Sequence, residues 1–113
     1  MNSFQFLFDL PAYQSSRNSK LIVSGHWKKG QITSIAAVEF LQKQHSISLH
    51  LLELGIRKGD RVILITEQYS WTWLVIDLAI MATGAITVPL YFPQKKEDLQ
   101  FILDRIEPAL VIR

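Results

Sequence analysis

The sequence predicts an α/β chain, a partial doubly wound parallel sheet of order β-α-β-α-β preceded by a β-hairpin and a long helix. Three observations predict it. From Leu54 to Ile112, short β-branched runs alternate with apolar helical segments. The connections between them are short, and strands alternating with helices call for a parallel sheet with right-handed crossovers. The third is length: 113 residues make one domain at most. The expected division is 1–33 as an irregular lead and hairpin, 34–54 as a long helix, and 55–113 as the parallel unit.

The lead is the least regular part. Phe4–Leu10 reads as a short helical turn ended by Pro11, and Gln14–Ser19 as a polar loop. Lys20–Ser24 and Trp27–Thr33 read as two strands around Gly25, with His26 in the turn. Ser34–Leu54 is the longest helical candidate, with Ser34 as N-cap. Ile35, Val38, Leu41, Leu49 and Leu52 recur at helical spacing. Gly55 fits the left-handed position that closes a helix, where a missing Cβ removes the steric penalty.

The parallel unit is more regular. Arg61–Thr66 (RVILIT) has the composition of a strand buried on both faces. Ser70–Thr83 is a helix apolar nearly all round, capped by Ser70 and stopped by Gly84, and such helices are buried. Ala85–Val88 is a second buried strand, with Pro89 where the β-rich run ends. Lys96–Ile106 is amphipathic, carries Leu99, Ile102, Leu103 and Ile106 on one face, and stops at Pro108. Ala109–Ile112 is a third buried strand. Three parallel strands make a small sheet, because such strands normally need helices on both faces. The chain therefore reads as part of a larger fold. An open sheet side near Leu110–Arg113 is expected to make it self-associate.

Composition narrows function. With 49% hydrophobic residues the chain can build a core, and a net charge of +2 with scattered Lys28-Lys29, Arg57-Lys58 and Lys95-Lys96 pairs offers no nucleic-acid surface. The sequence contains no cysteine, which removes disulfides, thiolate nucleophiles and cysteine zinc sites. The start, MNSFQFLFDLPAYQ, lacks the basic lead of a signal peptide. Trp71–Tyr91 has the length of a membrane span. Asp77 near its middle costs about 2.5–3.5 kcal/mol at a bilayer centre, and Gly84 and Pro89 break the run. A cytoplasmic location, with peripheral contact at a membrane still open, is the expectation.

Candidate chemistry is sparse. His45 and His50 lie five residues apart and miss the i, i+4 spacing of helical metal pairs. Asp60 in Gly59-Asp60-Arg61 fits a turn residue better than a catalytic acid. Asp77 on an apolar helix needs a partner or solvent. Tyr69, Trp71 and Trp73 could form a ligand platform, although aromatics on a buried helix are more often core. Gly25 and Gly30 do not form G-x-G-x-x-G, and no G-x-x-x-x-G-K-[ST] occurs.

Several segments carry a resemblance. Leu54–Val62 (LGIRKGDRV) resembles the entry to the first parallel strand of AMP-forming acyl-CoA synthetases. Trp73–Ile80 (WLVIDLAI) and Gly84–Tyr91 (GAITVPLY) are similar to the helix and strand that follow in long-chain fatty acid–CoA ligases. Asp98–Ile112 resembles their next helix and strand, and HWKKGQIT resembles their early hairpin. The chain departs from the family at Thr66-Glu67-Gln68, where Ser-Glu-Asn is usual. It also has an extra residue between Gln68 and Trp73, and Phe92 ahead of Pro93; all three fall in loops.

The resemblance implies the N-terminal part of an enzyme that activates a fatty acid with ATP and Mg2+ to an acyl adenylate and transfers it to coenzyme A. In that family the phosphate loop, the adenine and magnesium motifs and the catalytic lysine all come later. The resemblance therefore assigns no catalytic, cofactor-binding or metal-binding residue here, and the 113 residues alone are expected to be inactive. A fatty acyl-AMP ligase or other adenylation enzyme, a free-standing flavodoxin-like binding module, and a membrane-anchored protein using Trp71–Tyr91 stay open as other readings.

Overall fold

The computed structural model describes residues 6–18, 20, 22–66, 70–91 and 95–113, without the side chains of residues 22–28. A 3-10 turn (Leu7–Asp9) leads into α1 (Leu10–Arg17), and the hairpin β1 (Ile22–Lys28) and β2 (Gln31–Ala36) follows. Next come α2 (Ala37–Glu53), β3 (Arg61–Thr66), α3 (Trp71–Ala82), β4 (Ile86–Tyr91), α4 (Lys96–Ile106) and β5 (Leu110–Ile112).

The three parallel strands lie in the order β4-β3-β5. β3 is central. Arg61 pairs with Ile86, and Val62 pairs with both Thr87 and Leu110. Val62 and Leu64 point to one face, against Leu51, Ile56 and Ile80. Ile63 points to the other face and is fully buried. The Arg61 guanidinium, on the Ile63 face, donates to the Ile106 carbonyl at 2.9 Å and so caps α4. α2 and α3 therefore cover one face and α4 the opposite one, as right-handed crossovers require.

The helix ends follow local chemistry. Ser70 accepts from the Trp73 backbone N–H at 3.3 Å and starts α3. At the end of α2, Ile56 N–H donates to Leu51 O and Gly55 N–H to Leu52 O, with Gly55 at φ +97°. That double closure satisfies the last carbonyls, and Leu51 and Ile56 join the same buried cluster across it. Gly84 (φ +86°) stops α3, and a Cβ there would sit 3.2 Å from Lys58 Cβ.

Several expectations need correction. Pro11 does not end a turn; it lies buried in the first turn of α1, where its missing N–H has no helical partner to lose. Helix continues through Arg17 across part of the expected loop at Gln14–Ser19. The hairpin turns at Lys29 (φ 51°) and Gly30 (φ 77°), not at Gly25. Two positive φ values in succession suit the twist of a two-residue hairpin loop. Gly25 and His26 are thereby placed inside β1, paired with Ser34 and Thr33. Ser34 is no N-cap. It belongs to β2, which runs directly into α2 at Ala37. β4 continues through Pro89 to Tyr91, because an edge strand tolerates proline where the N–H would face outward. Of the three parallel strands, only β3 is buried. β4 and β5 are half-exposed edges.

Candidate functional site

In open parallel α/β sheets, ligands sit beyond the carboxyl ends of the strands where the connections diverge to opposite faces. Here the connections leaving the carboxyl ends of β3 and β4 diverge, since α3 departs from β3 on one face and α4 departs from β4 on the other. The carboxyl ends bring together Thr66, Tyr91, Ile112 and Arg113, with the Ser70-capped start of α3 nearby. Gln68, Tyr69 and Phe92 lie outside the described residues.

The two tryptophans of α3 divide between two clusters. Trp73 packs against the cluster of Leu51, Val62 and Ile80, and Trp71 against that of Ile35, Phe40 and Val75. Both are partly buried core residues rather than a shared platform. Lys43 Nζ stands 5.9 Å from the centre of the Trp71 ring. With Ser46 and Thr72 they line a shallow cleft of about 320 Å³. It offers hydrogen-bond donors and a cation but no nucleophile–base pair, so it could hold a ligand without transforming it.

The titratable candidates are scattered. The Asp60 carboxylate accepts from the Arg57 backbone N–H at 2.8 Å, closing the turn ahead of β3 at the end of the sheet away from the switch point. Asp77 is partly buried on α3 and borders a cleft with Met81, Ile86 and Pro89 on the β4 side. His45 and His50 are exposed on α2, and His50 Nδ1 lies 3.9 Å from Glu53. Among the described residues no group of three His, Cys, Asp or Glu could hold a metal ion. No described helix is long and apolar enough to cross a membrane. Trp71–Tyr91 resolves into a helix, a turn and a strand.

One buried polar residue was missed in the sequence. Gln44 is 2% exposed, and its Nε2 donates to the Phe8 carbonyl at 2.9 Å, tying the N-terminal segment to α2. The available signal was its place on the stripe Ala37, Phe40, Gln44, Ile47, Leu51, all on one helix face.

The geometry is that of a parallel α/β unit without a catalytic constellation among its described residues. The sequence pattern of the AMP-binding enzyme family matches residues 16–113. The chain belongs to that family. Relatives within and around the AMP-binding enzymes agree. Over 90 residues the chain is 29% identical to the long-chain-fatty-acid–CoA ligase FadD15 of Mycobacterium tuberculosis and to its namesake in Mycobacterium bovis. That alignment covers 80% of this chain and 14% of each ligase, so the chain spans about a seventh of the length of the curated relatives it matches.

The fatty acid AMP ligase of Legionella pneumophila superposes with a TM-score of 0.86 at 22% identity, over 96% of this chain and 19% of that one. The fatty acyl CoA synthetase of Mycobacterium tuberculosis gives 0.78 at 19% identity, over 92% of this chain and 20% of that one. These likenesses establish the fold: the unit is built like the corresponding part of AMP-binding enzymes.

Proposed function

We propose that this chain is a sheet-forming part of an AMP-forming acid–thiol ligase that activates a long-chain fatty acid with ATP and passes it to coenzyme A. The observation that supports this reading is the family match over residues 16–113, joined to the FadD15 likeness across most of the same stretch. In the reaction a carboxylate oxygen attacks the α-phosphorus of ATP, and pyrophosphate leaves. The coenzyme A thiolate then attacks the acyl carbon, and AMP leaves. Magnesium would neutralise phosphate charge in the first step.

The residues present do not fit the nucleotide or the metal. The sequence has no phosphate-binding glycine loop, and the described acidic and imidazole groups do not converge. No step of this chemistry is therefore assigned to a residue of this chain. Its role is architectural: β3, β4 and β5 supply part of the sheet over which the reacting groups assemble.

Two assays test the reading. A ligase carrying this chain should exchange labelled pyrophosphate into ATP in the presence of a long-chain fatty acid and yield an acyl-CoA detectable by mass spectrometry. Acyl adenylate without thioester would replace coenzyme A with another acceptor; no fatty-acid-dependent exchange would remove the reading. The isolated 113-residue chain should release no pyrophosphate above a heat-killed control, and release would place chemistry in these residues.

A further inference from the structure

We propose that residues 6–17 form a detachable strap, fastened over α2 at Gln44 and released as one unit while the parallel sheet stays folded. The inference rests on the packing of this segment and not on the reaction proposed above.

The segment completes much of its own structure. Phe6 N–H donates to the Asp9 carboxylate at 3.1 Å, and Asp9 N–H donates to the Phe6 carbonyl at 2.9 Å, so the 3-10 turn closes from within. The Phe6 and Phe8 rings stack with their centres 5.3 Å apart. In α1 the Arg17 guanidinium donates to the Tyr13 hydroxyl at 2.7 Å, and the Ser16 hydroxyl donates to the Tyr13 carbonyl at 2.7 Å. These contacts survive when the segment lifts away from its neighbours.

Its apolar hold on those neighbours is thin. The turn rests on α3, and α1 rests on α2. From Leu7 to Arg17, Pro11 is the one buried residue. Phe8 is partly buried against the cluster of Ile35, Phe40, Val75 and Leu78, while Phe6 and Leu7 are more than half exposed. Release therefore returns little apolar surface to water.

The fastening is polar and incomplete. Gln44 lies on the buried stripe of α2 between Phe40 and Ile47, and its Nε2 donates to the Phe8 carbonyl at 2.9 Å. Its Oε1 is also buried, and among the described residues nothing donates to it. An acceptor that has left water without gaining a donor weakens the closed state. On release, water reaches both ends of the amide and the Phe8 carbonyl. The lost bond is replaced and the orphaned oxygen is satisfied. Release also bares Gln44 in the cleft of about 390 Å³ that Asp9 and Ala12 now share with Leu41 and Ala82. A segment with its own hydrogen bonds, few buried side chains and a half-satisfied anchor belongs to the least stable cooperative units of a fold.

Native-state amide exchange on the complete 113-residue chain tests this. The amides of Gln14, Ser15, Ser16 and Arg17 should share one protection factor, at least about a hundredfold below that of Ile63 and Leu64 in β3. Phe8→Ala removes the apolar anchor and should speed exchange in α1 about tenfold. Gln44→Leu leaves the Phe8 carbonyl without a donor and should speed it about fivefold. Ile80→Ala, in the other cluster, should lower protection of Ile63 and Leu64 but leave α1 unchanged, because its contacts are the same with the strap on or off. Thermal melts show that each variant folds. Three results would each overturn the proposal: protection in α1 equal to that in β3, protection that decays residue by residue along α1, or an equal response of α1 and β3 to Ile80→Ala.

Discussion

The two faces of the parallel sheet are built very differently. On the Val62–Leu64 face, α2 and α3 contribute eight buried residues between them, and two apolar clusters form. On the Ile63 face α4 is the one helix among the described residues, and none of its residues is buried. Yet α4 is the more clearly amphipathic helix by sequence, with Leu99, Ile102, Leu103 and Ile106 on one side and charges on the other. Amphipathicity states which face of a helix should be covered. Coverage itself depends on how many neighbours are present, and among the described residues α4 has one strand layer beside it.

The sharpest test of this contrast is a pair of truncations. Ile80→Ala removes a fully buried side chain from the crowded face and should cost about 2–5 kcal/mol in urea unfolding. Ile102→Ala on α4 should cost about 1 kcal/mol, because that side chain is already partly in water. Equal losses would mean that the α4 face is as tightly packed as the other.

A second pair probes the turns at the two ends of these faces. Gly84→Ala should destabilise by about 1–3 kcal/mol, since it forces a side chain into φ +86° and against Lys58. Glu107 already occupies such a conformation, at φ 50° after α4. Glu107→Gly should therefore raise the melting temperature, by an amount corresponding to about 1 kcal/mol. Unchanged melts for both would show that turn strain has little weight on either face.

The N-terminal segment sharpens the contrast further, because it adds a layer only on the α2–α3 side. Gln44→Leu keeps the volume but leaves the Phe8 carbonyl without its donor. It should cost about 1 kcal/mol and speed amide exchange in residues 6–17. The smallest effect belongs to Glu53→Gln, which should leave the melt unchanged within error. Its contact with His50 is long and both side chains are more than 70% exposed.

What was legible in the sequence was whatever depends on neighbours along the chain. Arg61–Thr66, the Ser70 cap, Gly55, Gly84 and the stop at Pro108 all came through, because capping, turn conformations and short β-branched runs act over a few residues. The hairpin failed at the same scale for a specific reason: Gly25 and Gly30 both permit a turn, and only cross-strand pairing decides between them. Ser34 reads as a cap until β2 claims it by pairing with Gly25.

The site shows the same limit. The turn role of Asp60 is local and could be read. The opposition of α3 and α4 and the anchoring of Phe8 by Gln44 join residues far apart in sequence. The sequence by itself determined the element types and the parallel α/β class, since periodicity and helix-end chemistry are local. Only the tertiary structure decided that β3 is central and that β4 carries Pro89 within an edge strand. Those outcomes depend on which backbone groups face a neighbouring strand, and side-chain pattern does not encode that.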